Sequence, residues 1–148
     1  MEERLEDLVR RLGGEIIDVG KPVKTVKQAV KATGLNPKQI IKSLLFISEN
    51  GPILVILDGS SKVDLAKLNK VVDRIRLARP DEVKRITKYE VGDLPPVGVK
   101  ARTIVDPRVL KNRTVVGGGG SPNKLSKLDP RKIIEYQKAE VADIALKD

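Results

Sequence analysis

The sequence predicts a single mixed α/β domain, and three observations carry that prediction. Apolar residues at helical spacing alternate along the chain with short strand-like runs, so helices and strands are interleaved rather than segregated. A central stretch, Asn36 to Leu57, writes a β-hairpin. The 148 residues, with no internal repeat and no linker, fit one domain with a sizeable core.

The hairpin organises the rest. It reads NPKQIIKSLLF, then ISENG, then PILVIL, two apolar runs flanking the turn signal Glu49-Asn50-Gly51. Alternation puts Ile40, Lys42, Leu44 and Phe46 on one side of the first strand, and Ile41, Ser43, Leu45 and Ile47 on the other. Apolar residues on both faces predict a strand interior to a sheet. The ammonium of Lys42 is out of place there, because an unpaired charge is costly to desolvate. Either it snorkels to water near the strand start or something negative comes to meet it.

Before the hairpin, Leu5, Leu8, Val9 and Leu12 share a helical face over residues 2 to 12, and Gly13-Gly14 ends that helix. Glu15 to Val19 reads as a short strand, with a loop through Gly20, Lys21 and Pro22. Thr25 can cap a second helix that turns Val26, Ala29 and Val30 to one side and closes at Gly34. After the hairpin, Asp58-Gly59-Ser60-Ser61 breaks the chain, and a helix from about Asp64 to Val72 buries Leu65, Leu68 and Val72. Ile75 to Ala78 reads as a strand, and Pro80-Asp81 opens a short helix to about Thr87. Thr103 to Val105 and Thr114 to Val116 are short strands, separated by Asp106-Pro107 and a single helical turn. Lys124 to Leu128 is another strand, and Asp129-Pro130 starts a helix that runs to Tyr136. The tail, Ala139 to Leu146, reads as a terminal strand or a frayed helix.

Composition narrows the chemistry. There is no cysteine, which excludes disulfides and thiolate catalysis, and no histidine, which removes the commonest general base and the usual zinc ligands. Any catalysis has to rest on positioning and electrostatics, or on a lysine, carboxylate or hydroxyl. A formal net charge of +9 points to a polyanionic partner such as nucleic acid. Aromatic residues make up only 2% of the chain, so a base-stacking platform is not on offer. No apolar run approaches the ~20 residues that span a bilayer, and MEERLEDL does not read as a signal peptide. The expected compartment is the cytoplasm, without membrane contact. Few Asn and Gln beside many Lys, Arg and Glu are compatible with a thermophilic source.

Two further stretches could carry chemistry. From Gly92 to Gly98 the chain has glycines that let backbone approach a ligand and prolines that stiffen the loop, so it reads as a ligand grip or a rigid surface connection. Gly117 to Gly120 with Ser121 reads as an anion-binding nest or a flexible turn. It is not a Walker loop, because no Gly-Lys-Ser/Thr follows, and Pro122 spoils a dinucleotide fingerprint.

The order of motifs is more specific than any one of them. Thr25-Val26 with Ala29 comes first, then Gln39-Ile40-x-Lys42-Ser43-Leu44-Leu45-Phe46 and Pro52-x-Leu54-Val55-x-Leu57-x-Gly59. Val63-Asp64-Leu65-x-Lys67-Leu68 and Ala78-Arg79-Pro80-Asp81-Glu82-Val83 follow. Tyr89 to Gly98, Val105-Asp106 and Leu128-Asp129-Pro130-Arg131-Lys132-Ile133 complete the series. This pattern, over roughly residues 25 to 136, resembles the YbaK/ProX family of aminoacyl-tRNA deacylases, whose domain is also inserted in bacterial prolyl-tRNA synthetases for editing.

The resemblance implies a mixed β-sheet, curled and partly barrel-like, surrounded by helices. It implies hydrolysis of the ester between a wrong amino acid and the terminal adenosine of a transfer RNA, with no cofactor and no metal. Lys42 matches the family lysine that holds the phosphate or ribose end of the acceptor strand. Gly92 and Pro96 match the named positions of the Gly-x-x-x-Pro loop that places the aminoacyl group, and Gly98 closes that loop. Gly118, Gly119, Gly120 and Ser121 fall on a pocket-lining segment, and Asp106 on a position where many members are acidic. The attacking water is then activated by the substrate's own ribose hydroxyl, a chemistry open to a chain without histidine. Lys88 stands where the family often has glycine, and glycine and serine replace a histidine of the alanine-clearing branch. The implied substrate is therefore alanine, cysteine, serine or another small residue on a proline or other transfer RNA. An aminoacyl-tRNA synthetase is a candidate partner, and the alternative role is a non-catalytic RNA-binding or synthetase-associated module.

Overall fold

The computed structural model of the chain describes residues 3–146. Helix α1, Leu5–Arg11, buries Leu8 and Val9; the start expected for it at Glu2 lies outside the described residues. Strand β1 is Glu15–Asp18. Helix α2, Val26–Thr33, begins with a reciprocal cap: Gln28 N donates to Thr25 Oγ1 at 3.1 Å, and Thr25 N donates to Gln28 Oε1 at 3.3 Å. Gly34 closes the helix with φ 74°, a conformation that favours glycine.

Strands β2, Ile41–Ser48, and β3, Gly51–Asp58, form the expected antiparallel hairpin, with Lys42 opposite Leu57. Glu49 and Asn50 make the connection. Helix α3, Leu65–Val71, is capped by the Asp64 carboxylate, which accepts from the Ala66 and Lys67 amides. Strand β4 is Arg76–Leu77, shorter than the pattern predicts, and helix α4 is Pro80–Thr87. Strand β5, Arg102–Val105, leads into a 3₁₀ turn at Pro107–Lys111. Strands β6, Val115–Gly118, and β7, Lys124–Leu128, precede helix α5, Pro130–Gln137, and strand β8, Glu140–Val141.

The strands make two sheets: a larger one in the order β4-β2-β3-β5-β8 and a smaller one in the order β1-β7-β6. Strand β5 pairs parallel with both β3 and β8, while the other pairings are antiparallel. A parallel bridge between Ile40 and Val116 stitches the two sheets together. The curl expected from the family is thus present as a bend from one sheet into the other, without closure into a barrel.

One local outcome differs from the sequence pattern, and another decides between alternatives it left open. The first half of the glycine tract is strand rather than turn, since Gly117 and Gly118 pair with Ser126 and Leu125. Side chains are excluded there: a Cβ on Gly117 would lie 2.9 Å from Ile41 Cγ1, and one on Gly118 would lie 2.3 Å from Leu94 O. The tail resolves to a strand, and beyond it Ala145 bridges Val63.

Both faces of the larger sheet are covered. Ile41, Leu45, Leu54 and Ile56 pack with Leu8 and Val9 of α1 and Ile133 of α5. On the other face, Phe46, Val55 and Leu57 pack with Leu68 of α3 and Ile144 of the tail. A third cluster joins Ala29 of α2 and Val23 to Ile40, Val116 and Leu125. Burying each such side chain contributes roughly 1.5–3 kcal/mol. Lys42 falls where two clusters part, between Ile40 in the third and Leu44 packed on the second. Among the described residues no helix is long and apolar enough to cross a membrane.

Candidate active site

Strand β4 covers β2 only at Phe46 and Ile47, which pair with Leu77 and Arg76. Alongside the first half of β2 lies a cleft of about 230 Å³. One wall is Val23–Val26 with Ala29, from the start of α2. The others are Ile40 with Ile41–Leu44 of β2, the bend residues Val91, Gly92 and Leu94, and Gly117, Gly118 and Leu125 of the smaller sheet.

Lys42 lines this cleft half-buried and, among the described residues, has no hydrogen bond and no ion pair. Burial pulls its ammonium below the usual lysine range; Asp58 opposes that shift and Lys62 adds to it. Asp58 does not reach out to Lys42 with a hydrogen bond. Its two carboxylate oxygens accept instead from the hydroxyls of Ser60, at 2.5 Å, and Ser61. Neither simple fate of a strand lysine, full solvation or a bonded counter-ion, is met, and the amine remains available to a ligand.

The bend is held by close backbone contacts. Gly92 has φ 91°, and a Cβ there would lie 3.0 Å from both Cβ and the carbonyl oxygen of Lys24. Asp93 is 3% exposed; its amide donates to Glu90 O at 3.0 Å and its carbonyl accepts from Gly120 N at 2.9 Å. Its Oδ1 stands 3.9 Å from Lys24 Nζ and has no hydrogen bond. Burial pushes the Asp93 carboxyl above the usual range, Lys24 and Lys84 pull it back, and Glu90 adds to the rise. Ser43 Oγ is likewise buried in the cleft wall without a hydrogen-bond partner.

Of the residues singled out in the sequence, the fold brings Lys42, Gly92 and Gly118 together. Pro96 is buried behind the bend, outside the cleft lining. Gly98, with φ 80°, donates its amide to Gln137 Oε1 at 2.9 Å and lies against Leu8, so it fastens the bend to α5 and α1. Gly119, Gly120 and Ser121 line a separate hollow with Tyr89 and Lys124. Asp106 is fully buried elsewhere. Its carboxylate accepts from Arg108 N, Arg108 Nη1 and Ile144 N, at 3.0 to 3.1 Å, and pins the 3₁₀ turn to the tail.

Sequence reasoning missed Lys24 and Ser43 in the lining, and Asp93 beside Lys24 just behind it. Ser43 was visible as the polar interruption of the Ile41, Leu45, Ile47 face, and Asp93 lies inside the bend already singled out. Nothing local connects Lys24 to either. The lining combines two ammonium groups, Lys24 and Lys42, with apolar walls and Ser43, whose Oγ is unsatisfied; the second unsatisfied oxygen, Asp93 Oδ1, lies beside the lining between Gly92 and Leu94. Such a cleft can bind and orient a small polar ligand with an anionic neighbour.

Residues 20–136 match the family model of the aminoacyl-tRNA editing domain. The chain is 34% identical over 101 residues to the proline–tRNA ligase of Thermodesulfovibrio yellowstonii, a match covering 68% of this chain and 18% of that enzyme. It therefore spans only a small part of that relative's length. Among solved structures, hypothetical protein APE2540 superposes with a TM-score of 0.90 at 30% identity, covering 97% of this chain and 100% of that one. Another, described as "a putative trans-editing enzyme for prolyl tRNA synthetase", superposes with a TM-score of 0.85 at 28% identity, covering 99% of this chain and 100% of that one. The chain belongs to the aminoacyl-tRNA editing domain family.

Proposed function

We infer that this protein is a trans-editing deacylase, which hydrolyses the ester of a mischarged aminoacyl-tRNA bearing a small amino acid on a proline or related transfer RNA. The observation that carries this reading is Lys42: a half-buried amine without a bonded partner, in one cleft with the Gly92 bend. An acceptor-end phosphate or ribose is the complement such an amine lacks. The cleft, at about 230 Å³, is small beside the roughly 300–1,000 Å³ of drug-sized sites, which suits a short acyl group better than a bulky one. The near-complete overlap with the trans-editing neighbour supports action in trans.

In the reaction, water adds to the ester carbonyl carbon and the bond to the ribose oxygen breaks. That oxygen leaves with a proton, giving free amino acid and uncharged transfer RNA. As the family resemblance implies, the neighbouring ribose hydroxyl activates the water, a route open to a chain with no histidine or cysteine. The protein contributes orientation, with Lys42 at the nucleic-acid end and the stiff bend at the acyl end. Selection by a synthetase pocket against a smaller apolar residue is worth only roughly 1–3 kcal/mol, which is why a second hydrolytic site is useful.

The test is release of amino acid from alanyl-, seryl-, cysteinyl- and prolyl-tRNA. A small non-cognate residue should be released, prolyl-tRNA spared, and Lys42→Ala should abolish turnover. Hydrolysis by Lys42→Ala at the wild-type rate removes the role given to Lys42. Salt-sensitive transfer RNA binding without turnover by the wild type favours the non-catalytic module instead.

A further inference from the structure

Among the described residues, two buried side-chain atoms have no hydrogen-bond partner: Ser43 Oγ and Asp93 Oδ1. Native folds keep few such atoms, because each forfeits its hydration without compensation. Here both belong to the surroundings of one cleft. Ser43 lines it from β2. Asp93 sits between Gly92 and Leu94, which line it from the bend, and the cation nearest its free oxygen is the lining residue Lys24.

Resting on the deacylase reading above, we propose that Ser43 and Asp93 form the receptor for the α-ammonium of the aminoacyl group. A carboxylate only accepts hydrogen bonds, and a serine hydroxyl can accept as well. The group that satisfies both is therefore a donor with more than one hydrogen. An ammonium offers three and carries the charge that complements the carboxylate; a side-chain hydroxyl or thiol offers one. The remaining walls are largely apolar, including Val26, Ala29 and Leu94, and suit a short aliphatic side chain.

The backbones that carry the two oxygens are fixed. Strand pairing fixes Ser43 opposite Ile56, and the Glu90 and Gly120 hydrogen bonds fix the backbone of Asp93. Lys24 is the movable part. Its ammonium lies 3.9 Å from Asp93 Oδ1, beyond hydrogen-bond distance, and its side chain is 38% exposed. It can swing toward solvent as the incoming ammonium takes its place, at little cost in bonding. The cleft then reads a substrate by its two ends, the anionic acceptor strand at Lys42 and the cationic amine at Asp93. The ester is held between them.

The experiment compares kcat/KM for alanyl-, seryl- and cysteinyl-tRNA before and after N-acetylation, which removes the ammonium and keeps the ester. Wild-type protein should prefer the free amine by about tenfold to a hundredfold, the range expected for one charge-assisted hydrogen-bonded contact. Asp93→Asn should bring that ratio toward one, and Ser43→Ala should lower it less. Ser43→Ala removes an unsatisfied hydroxyl and should fold at least as stably, so the ratio can be read even if Asp93→Asn folds poorly. An Asp93→Asn or Ser43→Ala protein that keeps the wild-type ratio overturns the assignment. So does an equal loss on both kinds of ester, which marks a proton-transfer or scaffold role instead. Wild-type protein that hydrolyses no member of the panel overturns the deacylase reading itself.

Discussion

Gly92 lies against Lys24 so closely that a methyl group on it would stand 3.0 Å from both the Cβ and the carbonyl oxygen of that lysine. The contact seats the bend against the residue just before the α2 cap, and both residues line the cleft. Gly92→Ala carries two penalties, strain at φ 91° and displacement of the Lys24 backbone, together about 1–3 kcal/mol. Gly20→Ala is the control: its φ is 77°, but a Cβ there meets nothing within 4 Å. Denaturant unfolding should show both variants destabilised, with deacylation per folded molecule lost only in Gly92→Ala. Equal activity in the two would mean that the close approach has no bearing on the site.

Lys42→Met keeps the aliphatic stem and removes the charge. Because burial lowers the folded-state pKa of Lys42, the ammonium opposes folding at every pH below that value. The penalty fades as pH rises through the folded pKa toward the ordinary 10.5. Lys42→Met should therefore be at least as stable as wild type at pH 7, with the gap narrowing in alkaline buffer, while hydrolysis of the aminoacyl-tRNA ester collapses. Urea titrations at the two pH values give the sign directly. A variant less stable at pH 7 would show that Lys42 supports the fold instead of serving a ligand.

These contrasts show which parts of the molecule were legible beforehand. The β2–β3 hairpin, the Thr25–Gln28 cap and the Asp129-Pro130 helix start are written in residues close together in the chain, so local rules suffice. The family was readable from motif order, and Lys42 and Gly92 came with it. Long-range pairing was harder. Gly117 and Gly118 enter a strand because Ile41 and Leu94 leave no room for side chains, and that crowding is invisible from a run of glycines. The same holds for β8, which finds β5 across a large sequence separation, and for Lys24 beside Asp93. The family resemblance puts Asp106 and Ser121 among the candidate site residues with Lys42, but only the fold shows that they face other neighbours.

Asp106 tests the difference between scaffold and site. Replacing it with alanine leaves the buried Ile144 amide without its acceptor and, among the described residues, Arg108 with Asp143 alone as a carboxylate partner. Leaving that buried amide unsatisfied costs about 1–3 kcal/mol. Asp106→Ala should accordingly lower the melting temperature sharply, yet change the KM for transfer RNA little at a temperature where it is still folded. A large rise in KM with stability intact would return Asp106 to the binding site.

Glu82 links acid stability to the edge of the cleft. Its carboxylate accepts from Arg76 at 2.7 and 2.8 Å and from the Arg79 amide at 2.9 Å, which ties β4 to α4 next to the part of β2 left uncovered. The Arg76 guanidinium, then the Arg79 amide, hold the carboxyl down at about 2, against an ordinary 4.5. A depressed carboxyl pKa stabilises the fold above the unfolded value, and that contribution is lost as pH falls through the folded one. Wild-type protein should thus stay more stable than Glu82→Gln at neutral pH and lose the advantage between pH 4.5 and about 2. Acid titration followed by circular dichroism reads this as a higher unfolding midpoint pH for the variant. Coincident curves would mean that the bidentate pair does not anchor β4, and that another contact fixes where the larger sheet ends and the cleft begins.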